Sequence, residues 1–102
     1  MYIVMNKMQC LYEFAEKFEE LFKTRAHAID HMEGFKNMWV LKSENNPLEY
    51  IVLTLWESEE HFKNWIHSPE FLEGHQRGFA FMANLPKKPL ASTIEKYKVI
   101  AQ

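Results

Sequence analysis

One cysteine, three glycines, four prolines and a near-cancellation of charge limit what this 102-residue chain can be. A lone Cys10 cannot form an intrachain disulfide, and a reducing compartment is its simpler setting. Three glycines leave little material for a phosphate-cradling loop, and no Walker, dinucleotide-binding or GxSxG pattern occurs. A formal net charge of −2, with both signs interspersed, carries no electrostatic footprint for nucleic acid. No run approaches ~18 apolar residues, and the opening MYIVMNKM lacks the apolar stretch of a signal peptide. These absences predict a soluble, cytoplasmic protein with no nucleic-acid or membrane partner.

What is present suffices for a core, since 47% of residues are apolar and 15% aromatic. The length suits one domain over residues 1–102, without repeats, low-complexity segments or a linker. Residues 2 to 8 alternate, with Tyr2, Val4, Asn6 and Met8 on one face, and Ile3, Met5 and Lys7 on the other. That period of two predicts a strand, with the amide of Asn6 an oddity on an apolar face.

From Leu11 to Met32 the spacing changes to three and four. Phe14, Phe18, Leu21, Phe22, Arg25, Ile29 and Met32 form one stripe of a long amphipathic helix, with Gly34 as its stop. FKNMWVLKSE predicts a second strand, NNP a turn, and EYIVLTLWE a third strand that is apolar on both faces.

Ser58 is a credible N-cap for a short helix carrying Phe62, Trp65 and Ile66. Ser68 and Pro69 then restart the chain as cap and first helical residue of another, carrying Phe71, Leu72 and His75. GFAFMANLPKKPLAS, with two prolines and no clean period, reads as a long loop, and TIEKYKVI as a fourth strand.

The order is β-α-β-β-α-β with the second helix split, an α+β, ferredoxin-like fold with a four-stranded antiparallel sheet. Its other sheet face is expected to offer Ile3, Met5, Met38, Val40, Ile51, Leu53, Leu55 and Ile100. Exposed apolar surface costs roughly 25 cal/mol per Å2, so pairing sheet to sheet predicts a homodimer.

Most polar residues have ordinary readings. His27 and His31 sit one helical turn apart, but His27 lies nine residues beyond Phe18, on the opposite side at ~100° per residue. Both therefore read as solvated. His61 and His67 have no partner pattern, Cys10 reads as a small buried residue, and no acidic pair stands out. Tyr12, Phe14, Phe18 and Phe22 read as core.

Asn6 and His75 differ in kind. A buried amide needs a partner or about 1–3 kcal/mol is lost. His75 follows Phe71 by four and Leu72 by three, on the apolar side of its helix, while Trp65 points from the preceding one. Periodicity alone is satisfied by a bonded Asn, a core Trp and a hydrogen-bonded His. It also suggests a pocket between sheet and helices, without naming an occupant.

The segments VMNKM, FKTR, MEGFKNMWVLK and LTLWESEEHFKNWIHSPEFLEGHQ resemble the IsdG-like heme-degrading monooxygenases, within the dimeric α+β barrel superfamily that also holds the antibiotic biosynthesis monooxygenases. The resemblance covers about three quarters of the chain, and its most specific element is Asn6, Trp65 and His75 in this order and spacing. It implies that His75 is the axial ligand to heme iron and that Asn6 offers its amide on the opposite, oxygen-binding side. Trp65 would press on the porphyrin and help to ruffle it, with Phe22 lining the pocket and Arg25 near the heme.

Heme would be cofactor and substrate together, with O2 and an external electron donor such as a reductase consumed, and iron and a linear tetrapyrrole released. Beyond His75 the sequence departs from the family, and Arg77, Lys87 or Lys88 is expected to approach the propionates. Two other functions fit the same fold: a cofactor-independent monooxygenase of an aromatic or quinol substrate, and a non-enzymatic dimeric heme-binding carrier. Neither of these needs the Asn, Trp and His triplet.

Overall fold

The alternating N-terminus forms strand β1 (Tyr2–Cys10) in a computed structural model that describes residues 1–83 and 90–102. β1 pairs antiparallel with both β3 (Glu49–Trp56) and β4 (Leu90–Lys98), and β3 pairs on its other edge with β2 (Phe35–Lys42). The resulting order, β2-β3-β1-β4, is the ferredoxin-like arrangement the element order predicts.

The described residues also form three α-helices: α1 (Ala15–Lys23), α2 (Glu59–Ile66) and α3 (Pro69–Ala83). They cover the face bearing Tyr2, Val4 and Met8, which are buried, whereas Ile3 and Met5 on the other face are half-buried. No helix among the described residues is long and apolar enough to cross a membrane.

The covered face carries two separate cores. Tyr2, Val4, Ile29, Trp56, Phe62 and Trp65 form one, with Met38 and Phe71 packed against it. Met8, Cys10, Phe18 and Tyr50 form the other, joined by Phe14, Phe22 and Val52. Full burial of each such large apolar side chain contributes roughly 1.5–3 kcal/mol. Tyr12, expected with them, is exposed.

The first helix is shorter than its stripe predicts. It is flanked by 3-10 turns at Tyr12–Phe14 and Ala28–His31, and the chain breaks between Thr24 and His27. Three local causes act there. The Thr24 hydroxyl donates back to the Glu20 carbonyl at 2.8 Å, His27 adopts a left-handed φ of 62°, and Asp30 draws Arg25 and His27 toward itself. Phe18 and Ile29 keep their predicted inward aspect across the break.

Two further expectations are corrected. A register shift between Phe35 and Asn37 adds one residue to β2 and reverses its parity. Met38 and Val40 therefore face the helices, opposite Thr54 and Val52, and Trp39 and Leu41 take the open face instead. Ile100 lies beyond β4.

The segment read as a loop from Gly78 continues α3 as far as Ala83, with Phe81 edge-on to Phe14 at 6.1 Å between ring centroids. That helix carries apolar residues on more than one face, which hid its period. β4 starts at Leu90, earlier than TIEKYKVI indicates.

The serine caps form as expected. Ser58 Oγ accepts from the His61 amide at 3.3 Å, and Ser68 Oγ accepts from the Phe71 amide at 3.2 Å while donating to the Trp65 carbonyl at 2.6 Å. Ser68 thus joins the end of α2 to the start of α3.

Gly34 turns the chain into β2 at φ 81°, and a Cβ there would stand 2.1 Å from the His61 ring. We expect Gly34→Ala to cost about 1–3 kcal/mol or more, because steric overlap adds to the backbone strain. Urea unfolding of the variant checks this, and a midpoint equal to wild type would refute it.

Beside the second core, the Tyr50 hydroxyl donates to Glu19 Oε2 at 2.5 Å and Lys42 Nζ donates to the same oxygen at 2.8 Å. The Lys42 ammonium, and then the Tyr50 hydroxyl, hold the Glu19 carboxyl below its ordinary value of 4.5. Burial, with Glu19 next to it, pushes the Tyr50 hydroxyl up.

A carboxyl depressed by folding contributes stability that is full above its ordinary pKa and is lost as pH falls through the depressed one. Glu19→Gln should therefore be less stable than wild type at neutral pH, with the gap closing as pH drops below about 4. Denaturant titrations across that range test it, and a gap independent of pH would contradict it.

Candidate functional site

Register places four residues in one row across the covered face: Val40 opposite Val52, Val52 opposite Asn6, and Asn6 opposite Ile94. The central residues of the neighbouring rows are sealed, with Val4 and Thr54 at 5% and 8% exposure on one side and Met8 and Tyr50 at 8% and 1% on the other. The row between them is open at both ends, with Val40 at 37% and Ile94 at 56% exposure.

This is the seam between the two cores. Four strands ~4.8 Å apart make it about 14 Å long. At its β2 end a groove of about 190 Å3, lined by Phe18, Phe22, Val40 and Tyr50 among others, enters under α1.

Asn6 is the polar member of this apolar row. Among the described residues, its Oδ1 is the buried side-chain nitrogen or oxygen without a hydrogen-bond partner. A buried polar atom left unsatisfied costs about 1–3 kcal/mol, so such an amide points to a ligand. Rotation of the amide by half a turn would present its N–H group at the same place.

His75 lies on α3 between Phe71 and Phe79, with ring centroids 4.2 and 5.7 Å away. Its Nδ1 is 2.7 Å from the Phe71 carbonyl oxygen. A carbonyl only accepts, so Nδ1 carries the proton and Nε2 keeps its lone pair. That tautomer, fixed by a backbone carbonyl, is the one suited to metal ligation through Nε2. His75 is exposed, as are Leu72 and Phe79 on the same helix.

Trp65 is brought to His75, with ring centroids 6.2 Å apart, yet it is a core residue at 6% exposure. It packs edge-on to Phe71 and against Trp56. Gly74 faces the same ring, and a Cβ there would make ordinary contact, 3.4 Å from Trp65 and 3.6 Å from Ala28 Cβ.

Phe22 packs edge-on to Phe18 beside the groove, with ring centroids 5.0 Å apart. Arg25 is paired with Asp30 at 3.1 Å, and His27 Nδ1 meets the same carboxylate at 2.9 Å. Burial opposes the charge on Asp30, but hydrogen bonds from His27 and Arg25 outweigh it and hold the carboxyl below its ordinary range.

Arg77, expected at the propionates, donates instead to the carbonyl oxygen and the hydroxyl of Thr24. Lys87 and Lys88 lie outside the described residues. Among the described residues no group of three or more His, Cys, Asp or Glu could hold a metal ion.

Sequence reasoning singled out Asn6, Trp65 and His75 and did not name Val52 or Ile94, and it placed Val40 on the wrong face. Cross-strand register makes them neighbours of Asn6, and no local pattern encodes that. Ile94 carries a weak signal as an aliphatic residue in the polar run STIEK.

The model of the family described as "Antibiotic biosynthesis monooxygenase" matches residues 1–77. A heme oxygenase (staphylobilin-producing) of Staphylococcus saprophyticus is 35% identical over 78 residues, which is 74% of each chain. This bears out the resemblance to IsdG-like proteins.

Among solved structures, the heme-degrader MhuD of Mycobacterium tuberculosis, with two hemes bound in its active site, superposes with a TM-score of 0.75 at 22% identity, covering 100% of this chain and 98% of that one. SnoaB, a cofactor-independent oxygenase from Streptomyces nogalater, superposes with a TM-score of 0.74 at 16% identity, covering 99% and 94%. At such identities these two likenesses establish the fold and leave the chemistry open. The family match over residues 1–77 and the relative at 35% identity go further: the chain belongs to the antibiotic biosynthesis monooxygenase family.

Proposed function

We propose that this protein is a heme-degrading monooxygenase that binds heme in the seam, with His75 on one side and Asn6 on the other. The observation that carries the reading is the orphaned amide oxygen of Asn6 in a row of valine and isoleucine. A flat apolar molecule with a polar centre suits such a floor. The tautomer of His75, with Nε2 free to ligate, suits the iron of that centre.

Heme, when bound, supplies the iron that activates O2 and the macrocycle that is oxidised, and an external reductase supplies electrons. The residues of this chain do the rest. His75 would hold the iron through Nε2, its ring steadied by the Phe71 carbonyl and by Phe79. Asn6 offers an amide, which orients an oxygen species by hydrogen bonding without releasing a proton readily.

Val40, Val52 and Ile94 exclude water from the plane between them. Trp65 backs the site from the core and would press on the bound group. Phe22 closes the groove end, and Arg25 stands at the α1 break with its charge balanced by Asp30. The family relative, a heme oxygenase by its own activity, supports this reading over a carrier. The likeness to SnoaB keeps a cofactor-independent oxygenase as the competitor that experiment must remove.

The open sheet face, with Trp39, Leu41 and Tyr97 at 45%, 42% and 45% exposure, is read as the homodimer interface, and a reducing cytoplasm as the setting. Sedimentation of the purified protein as a monomer at micromolar concentration would remove the dimer.

The decisive test adds hemin, records the Soret band, and then adds ascorbate or a reductase under air. Loss of the band with release of iron is expected. A stable band would leave a carrier, and no binding would leave the cofactor-independent reaction. His75→Ala should abolish the ligand spectrum, while Asn6→Ala should keep heme bound and lose turnover by about a hundredfold.

A further inference from the structure

Several contacts hold helix α3 to the rest of the protein. Ser68 ties its start to the Trp65 carbonyl, Phe71 packs edge-on to Trp65, Gly74 approaches Trp65 and Ala28, and Phe81 packs on Phe14. Arg77 adds a polar one. Its Nη1 donates to the Thr24 carbonyl oxygen, and its Nη2 to Thr24 Oγ1 at 2.7 Å. The Thr24 hydroxyl in turn donates to the Glu20 carbonyl at 2.8 Å.

Thr24 follows the last residue of α1, where carbonyls lack intrahelical donors and the helix dipole is negative. A guanidinium satisfies both conditions, and its planar fork takes the carbonyl and the hydroxyl together.

The spacing gives these contacts a geometric consequence. Gly74, Arg77 and Phe81 recur at i, i+3 and i+7, so they share the face of α3 that meets α1 and the 3-10 turns. His75 sits ~100° around from Gly74, on the side shared with Phe71 and Phe79. The roll of α3 about its own axis therefore sets the direction of the imidazole. Phe71, Gly74 and Phe81 make apolar contacts that permit some slip, whereas a two-bond fork on the carbonyl and the hydroxyl of one residue does not.

We propose that Arg77 is a positioning residue: its fork on Thr24 locks the roll of α3 and so sets where His75 stands over the seam. This rests on the reading of His75 as the heme ligand. It replaces the expected propionate contact, because the guanidinium that would make that contact is engaged at the end of α1.

The test uses the full chain purified without heme, in the variants Arg77→Met, Arg77→Lys, Thr24→Ser and His75→Ala. Amide hydrogen exchange over residues 69–83 is measured first. Hemin is then titrated, with the Soret band and the electron paramagnetic resonance of the ferric complex recorded well below each unfolding temperature.

Arg77→Met is expected to speed exchange after Gly74 and to bind hemin roughly fivefold to tenfold more weakly, with a mixed spectrum containing the form given by His75→Ala. Arg77→Lys, which keeps the charge but not the fork, should fall between. Thr24→Ser keeps both acceptors and should match wild type.

A wild-type spectrum for Arg77→Met overturns the proposal even if the variant melts earlier, because a merely stabilising contact would lower the melting temperature without changing the ligand. Unchanged exchange overturns it as well. If His75→Ala itself retains the wild-type spectrum, the ligand assignment falls and the proposal with it. The His75 variant alone identifies that failure.

Discussion

A side-chain amide on the covered face of a sheet cannot be satisfied by the valine and isoleucine beside it, and the architecture is organised around that constraint at Asn6. Packing covers the amide oxygen without giving it a partner. The apolar side chains gather into two cores, one on Tyr2 and Val4 and the other on Met8 and Cys10. The helical layer parts at the same level, because α1 ends at Lys23 and the next turn starts at Ala28. One unsatisfied amide costs about 1–3 kcal/mol, which two aromatic-rich cores can carry. A protein without use for a seam would gain stability by placing an aliphatic residue at position 6.

The second organising feature is the division of labour around α3. One side, through Gly74, Arg77 and Phe81, fastens the helix to α1, to the 3-10 turns and to Trp65. Another carries His75 between two phenylalanine rings, with Nδ1 bonded to a carbonyl of its own helix. Residues that hold the helix and the histidine proposed as ligand are thus interleaved along one stretch. A change on the fastening side can reach the imidazole without touching it. Trp65 belongs to both groups, which makes its substitution hard to read: losing the ring removes core volume and a wall of the site together.

The fold hosts unlike chemistries, as similar structures of a heme degrader and of a cofactor-independent oxygenase illustrate. Discrimination lies in which side chains meet at the seam. The His75→Ala and Asn6→Ala comparison addresses residues that local pattern had already singled out. By contrast, the row that includes Asn6 came from pairing across strands. Val52 and Ile94 are separated from Asn6 by dozens of residues and meet it because the strands pair in one register. Val40 was assigned to the other face because one extra residue near Lys36 reverses the parity of β2. Such an insertion is visible only when hydrogen bonds are formed.

Period and cap signals in the sequence determined the element order, the four-stranded antiparallel sheet, the Ser58 and Ser68 caps and the inward aspect of Phe18 and Trp65. These are local properties: side-chain alternation, helical spacing and a hydroxyl next to free amides are set within a few residues. The oddity of Asn6 was also legible there, as a polar residue out of step with its strand. Tertiary structure alone decided where α1 breaks, that α3 runs on to Ala83, and that Arg77 turns to Thr24. It also decided that Asn6 keeps an unpartnered oxygen while His75 keeps a free Nε2. The α1 break and the His75 tautomer rest on bonds within a few residues that no periodicity announces. The Arg77 contact and the orphaned Asn6 oxygen depend on groups far apart in sequence competing for donors, acceptors and space, and that competition is settled only when the chain is packed.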